Sequence, residues 1–235
     1  MTENNFLNAL TDSFKAFLKT GSRSNEKLKI LHSSISNDLI NLLGPDFSVK
    51  SLNIGDGKEG KIQGRYINKN VDIVILQNGN VFAGIGVKFV MQNYSQNSNN
   101  YFENMLGETA NIRSNNIPYF QIFVIPEKMP YYKSNGQWDK WEEFSLHNSK
   151  KYIILSQDNI DNFLHTPTKT LLYVVKLPEI NIAIKTKGEY YNFYRNYQNL
   201  KIEKSSREYG TFSNSLIHND YANYMKKISN YIKSI

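Results

Sequence analysis

The chain has 235 residues, 40% of them hydrophobic, enough for one sizeable core, so a single domain spanning 1–235 is expected. Lys and Arg total 28 against 21 Asp and Glu, a net charge of +7, with 16 Tyr and 13 Phe mixed among them; this balance favours a polyanionic partner, although the Lys-, Asn- and Ile-rich usage of an A·T-rich genome gives the same charge. Cysteine is absent, which excludes disulfides, thiolate metal sites and a thiol nucleophile together, and without a signal-peptide core or an apolar run of about 18 residues a cytoplasmic protein is expected.

Phe6, Leu7, Leu10, Phe14, Phe17 and Leu18 recur at helical spacing, which predicts an N-terminal helix over 5–19. Leu28, Leu31, Ile35, Leu39, Ile40 and Leu43 predict a second helix over 25–44, ended by Gly44-Pro45. The stretch 58–67 alternates loosely as a strand, Asn68-Lys69-Asn70 reads as a turn, and 71-VDIVIL-76 is a strongly β-forming run. Asn-Gly within 77–80 signals a hairpin into 81-VFAGIGVKFV-90. A polar loop, 92–100, precedes a helix over 100–114, and 118-PYFQIFVIP-126 has the continuous apolar character of a strand buried on both faces. From the second helix onward the order is αβββαβ.

Beyond 126 the expected elements are an aromatic and charged connection over 127–148, strands at 151–156 and 171–177, a short helix over 157–164 between them, and a final helix over 219–233. The core is expected over about 25–177, followed by a basic, aromatic region over 187–235.

Two charges interrupt the apolar strands. Asp72 lies in 71-VDIVIL-76 and Lys88 in 82-FAGIGVKFV-90, and a charge inside such a run is costly unless it is paired or in use. A two-residue loop at Asn78-Gly79 sets Asp72 opposite Ile85 and sends Lys88 to the other face, whereas a three-residue loop sets it opposite Gly86 with Lys88 as a diagonal neighbour on the same face. The sequence allows both. A strand-edge acid paired with Lys69 or Lys88, and a lysine that snorkels to solvent, are the structural alternatives.

The Asp72/Lys88 pair within the αβββαβ order resembles the PD-(D/E)xK nuclease superfamily, over about residues 25–126. The resemblance implies an α/β fold with a restriction-endonuclease-like core, a mixed central sheet flanked by helices. It further implies a sequence-specific type II endonuclease that hydrolyses duplex DNA with Mg²⁺, works as a homodimer and shares its system with a cognate DNA methyltransferase. Asp72 matches the metal-binding aspartate and Lys88 the lysine that assists the attacking water. The acidic position two before the lysine is Gly86, so a helix glutamate is expected to take its place: Glu103 first, Glu108 second, because helical rotation of about 100° per residue keeps both from facing one ion. Glu59 is the next metal-ligand candidate after Asp72 and Glu103, with Glu26 a further acid at the start of the second helix. A degraded nuclease site in a protein that only binds DNA, and a nuclease for branched or damaged DNA, are the alternatives.

His32, His147, His165 and His218 show no metal-ligand spacing and read as ordinary histidines. For DNA contact the candidates are Arg65 and Arg113 on phosphate, Asn93, Gln96 and Asn97 in the polar loop, whose amides suit adenine, and Arg195 and Lys201 in the aromatic, basic tail. The tail reads equally well as an amphipathic packing element.

Overall fold

The computed structural model describes residues 3–235. Two helices open it, α1 (Glu3–Thr20) and α2 (Glu26–Leu43), and their apolar stripes, including Phe6, Leu10, Phe14, Leu31, Ile35 and Leu39, are buried. Next come β1 (Phe47–Ser51), β2 (Gly60–Gln63), β3 (Asn68–Val71), β4 (Ile73–Gln77) and β5 (Asn80–Phe89). Helix α3 (Tyr94–Arg113) leads to β6 (Tyr119–Pro126), then to the β7 (Lys128–Tyr132) and β8 (Trp138–Glu143) hairpin and to α4 (Leu146–Gln157). The chain closes with β9 (Lys169–Lys176), α5 (Lys187–Arg195), β10 (Glu203–Lys204), β11 (Leu216–His218) and α6 (Tyr221–Ser234).

The main sheet is mixed, in the order β1-β4-β5-β6-β9-β10, with β11 also on β9. β1, β4 and β5 form an antiparallel meander, and β5, β6 and β9 run parallel. Every residue of β6 is buried, because alternate side chains enter opposite layers. Phe120, Ile122 and Val124 meet the core shared with α1, α2, α5 and α6, while Phe123 and Ile125 meet that of α3 and α4. Among the described residues no helix is long and apolar enough to cross a membrane.

Several sequence expectations need correction. The stretch 58–67 is not a strand of the main sheet; its middle is β2, which pairs only with β3 in a separate two-stranded ribbon. Asn68-Lys69-Asn70, read as a turn, is strand β3, and the reversal lies at Gly64–Ile67, where Asn111 of α3 binds the backbone of Tyr66 and Ile67. The meander takes its first strand from Phe47–Ser51 instead, a short segment whose Ser51 hydroxyl pairs with Ser36 of α2 at 2.8 Å. Residues 151–156, read as a strand from their β-branched run, belong to α4: the helix starts at a Ser145/Asn148 capping box, buries Tyr152 and Leu155, and leaves Ile154 in solvent at 64% exposure. The helix expected over 157–164 is the end of α4 followed by turns. Most of the expected loop 92–100 is the first two turns of α3.

Candidate functional site

A two-residue turn and a β-bulge together put the two interrupting charges on one face. Asn78 and Gly79, with φ of 51° and 81°, form the two-residue turn that an Asn-Gly pair favours. Gln77 pairs with Asn80 and Leu76 with Val81, but Ile75 pairs with Ala83, so a bulge at Phe82 shifts the register by one residue. Beyond the bulge Ile73 faces Ile85, which carries Asp72 to Gly86 and puts it on the face of Lys88. The short loop and the same-face register, alternatives by simple pairing, thus coexist. Asp72 Oδ2 accepts a 2.7 Å hydrogen bond from the Val87 N–H, which fixes the carboxylate across the strand pair.

Asp72 lines the floor of a cleft with Gly86, Lys88, Tyr119 and Gln121, under Tyr101, Asn104 and Glu108 of α3. Two groups from distant segments, outside the cleft lining, also approach Asp72. His32 of α2, Glu59 just before β2 and Asp72 each bring a ligand-type atom within 4.8 Å of the others. His32 is fully buried and neither ring nitrogen has a hydrogen-bond partner. A buried imidazole without a partner costs stability, whereas a cation would use its lone pair.

The titration behaviour has the same physical cause. Burial pushes the Asp72 carboxyl up to about 6, opposed by the hydrogen bond from Val87 and reinforced by Glu108. Glu59 is also raised, first by burial and then by Asp72 and Glu108. Burial lowers the His32 imidazolium to about 4 despite Glu59. Converging acids that resist ionisation beside a neutral imidazole make a donor set short of positive charge, and such a set fits a divalent cation.

Lys88 contributes a nearby ammonium. Burial lowers its pKa from 10.5, with Asp72 opposing, and Nζ sits 4.0 Å from the centroid of the Tyr101 ring, a cation–π contact that holds it over the cleft. Of the two helix glutamates, Glu108 reaches the cleft: it accepts a 2.5 Å hydrogen bond from the Tyr119 phenol and pairs with Lys69 at 3.1 Å. Glu103 is solvent-exposed on α3, outside the cleft and on the side of Lys151. Of the two, Glu108 lines the cleft and Glu103 does not.

Gly86 has a steric explanation. A Cβ there would lie 2.3 Å from Tyr119 Oη and 2.6 Å from Gln121 Oε1, so the phenol that holds Glu108 fills the space of an acidic side chain at 86. Glu26 pairs with Lys29 at 2.7 Å on the exposed start of α2. His32, one and two-thirds turns further along the same helix, faces the cluster instead. Its place beside Glu59 and Asp72 is invisible to local spacing, since both come from distant segments; the sequence signal is a histidine on the apolar stripe of Leu28, Leu31 and Ile35.

The expected DNA contacts fare differently. Arg113 donates to the carbonyls of Ile160, Phe163 and Thr166, and Arg195 to that of Leu18, so both guanidiniums tie the fold together. Asn93 pins β7 through Tyr132 and contacts Gln96, and Asn97 turns back to the Asn93 carbonyl, so the three amides serve the start of α3. Lys201 is exposed beside Glu203 and Tyr197, and Arg65 stands at the tip of the β2–β3 ribbon. The aromatic tail is a packing element: Tyr191 and Tyr194 of α5 are buried against Phe17 and Phe14 of α1, and Tyr190 is buried against Tyr132 and Trp141 of the β7–β8 hairpin. No family model matches the chain, and no curated protein or solved structure matches it.

Proposed function

We propose that this protein is a metal-dependent endonuclease of the PD-(D/E)xK type acting on duplex DNA. The observation that carries the reading is the convergence of His32, Glu59 and Asp72 within 4.8 Å, with the half-buried Lys88 ammonium on the adjoining strand. The core order α2-β1-β4-β5-α3-β6 and the charge of +7 support it. The reading extends to a sequence-specific type II restriction enzyme, homodimeric and accompanied by a methyltransferase. An imidazole beside two carboxylates suits Mn²⁺ at least as well as the Mg²⁺ expected from sequence.

His32, Glu59 and Asp72 would hold the ion, which when bound would supply positive charge to the phosphate and make a coordinated water more acidic. Lys88 lines the cleft beside Asp72, where its N–H groups would orient the attacking water and stabilise negative charge on the phosphate oxygens. Tyr101 limits the freedom of that ammonium. Hydrolysis joins the water oxygen to phosphorus and breaks the P–O3′ bond, leaving a 5′-phosphate and a 3′-hydroxyl, with the displaced proton passing to solvent. Glu108 and Tyr119 keep the α3 wall of the cleft in place.

Cleavage of a long mixed-sequence DNA with Mg²⁺, with Mn²⁺ and with chelator tests the reading. Discrete fragments are expected with an ion and none with chelator, and Asp72→Asn or Lys88→Met is expected to slow cleavage at least about 100-fold. DNA left intact under both ions by well-folded protein would overturn it.

A further inference from the structure

At the tip of the β2–β3 ribbon, Tyr66 is 78% exposed and Ile67 61%, an aromatic and a branched apolar side chain side by side in solvent. Their backbone is firmly held. Asn111 Oδ1 accepts from the N–H groups of Tyr66 at 2.9 Å and Ile67 at 3.2 Å, and Asn111 Nδ2 donates to the Ile67 carbonyl at 2.8 Å. The Arg65 N–H donates to the Asn111 carbonyl at 2.8 Å, and Asn115 Nδ2 to that of Gln63 at 2.8 Å. Gly64 lies so close to this clamp that a Cβ would stand 2.0 Å from Asn111 Nδ2. Ordering a turn costs conformational entropy, and here the ordered side chains bury little in return.

The surroundings indicate the partner. Lys61 and Arg65 lie exposed on the ribbon, beside a Lys69 already paired with Glu108, and the Arg65 guanidinium is 5.8 Å from the centroid of the Tyr66 ring. Glu59 and Asp72 of the cation cluster flank the ribbon's base, where Gly60 pairs with Val71, and Gln63 pairs with Asn68 toward the tip. Three residue steps at about 3.3 Å set the tip roughly 10 Å or more beyond the base, a span of about three or four base pairs along a duplex. Two apolar side chains are far too few for the roughly 800 Å² per partner of a stable protein interface, but they match the wedge that minor-groove proteins press between base steps.

We propose that the ribbon tip is a duplex DNA-reading wedge: Tyr66 and Ile67 press against a base step in the minor groove, Arg65 holds an adjacent phosphate, and the contacted step lies about three or four base pairs from the phosphate at the cation cluster. This rests on the nuclease reading for the identity of the polyanion, and it adds a contact that the reading does not require.

The test uses the full chain in chelator, so that no cleavage occurs, at low salt. Duplexes carrying 2-aminopurine at successive positions are titrated with wild type, Tyr66→Ala, Ile67→Ala and Arg65→Ala, with binding read by anisotropy and unstacking by 2-aminopurine fluorescence. Wild type is expected to raise the fluorescence at one step, and Tyr66→Ala to abolish that rise and weaken binding about tenfold, with unchanged Tm. Arg65→Ala is expected to weaken binding while keeping the fluorescence response. A Tyr66→Ala protein that binds and unstacks like wild type overturns the wedge, even if cleavage is confirmed. Tyr66-dependent binding without cleavage under any ion leaves the wedge standing and removes the nuclease. Failure of wild type to bind duplex, with Tyr66→Ala instead dissolving a dimer in sedimentation, makes the tip a contact between copies and overturns the proposal.

Discussion

At the scale of single residues, the site is held at the expense of stability, and pH exposes this. The Asp72 carboxyl titrates at about 6 when folded against 3.8 ordinarily, so between those values the folded chain binds more protons than the unfolded one. In metal-free buffer its contribution to stability therefore falls as pH rises through that window, by about 3 kcal/mol once complete. Asp72→Asn keeps an acceptor for the Val87 N–H and never ionises. We expect it to melt higher than wild type at pH 8, to converge with it below pH 4 and to lose cleavage; a variant less stable than wild type at pH 8 would contradict the burial argument. His32 has the opposite sign: its depressed pKa, about 4, means that protonation of the unfolded chain draws stability away as pH falls below about 6.5. His32→Leu removes two unpartnered buried nitrogens and is expected to stabilise the metal-free protein by about 1 kcal/mol while abolishing any Mn²⁺-dependent rise in Tm. A purely structural histidine would give the reverse on both counts.

At the scale of elements, the strand pairing depends on two close approaches. The bulge at Phe82 carries Asp72 and Lys88 onto one face, and Gly86 lets Tyr119 and Gln121 pack against β5. Gly86→Ala is expected to cost about 1–3 kcal/mol by overpacking, measurable by urea unfolding, and Tyr119→Phe in the same chain should recover part of it by removing the clashing hydroxyl. Additive losses in the double variant would refute the contact. Long periodic elements were legible in the sequence: α1, α2, β4, β5, β6, β9 and α6 lie within a few residues of their expected ranges, because each repeats its apolar spacing over its whole length. The Asp72/Lys88 pair was legible as well, since charge inside an apolar run stands out. The bulge was not, because nothing local distinguishes Phe82 from its neighbours. The ribbon turn at Gly64–Ile67 and the His32 cluster were not, because both are made by partners tens of residues away. The apolar run in 151–156 misled because three β-branched or apolar residues in succession fit strand and helix alike, and the capping box decides.

At the scale of the whole molecule, the main sheet separates two apolar layers, and the C-terminal α6 closes one of them, with the Tyr224 hydroxyl donating to the Gln121 carbonyl at 3.0 Å behind the cleft floor. Two of the four cations expected on DNA, Arg113 and Arg195, are spent internally, while the ribbon near the cluster keeps Lys61 and Arg65 exposed. If three to six phosphates are neutralised there, duplex affinity should fall with salt at a log–log slope of about −3 to −5; a flat response would place binding elsewhere. The most direct measurement of the central claim is an anomalous difference map from crystals soaked in Mn²⁺. A manganese peak bonded to His32, Glu59 and Asp72 is expected, with Lys88 beside it in the cleft. Strong cleavage activity in crystals or solution with no such peak, or with a peak at other ligands, would contradict it.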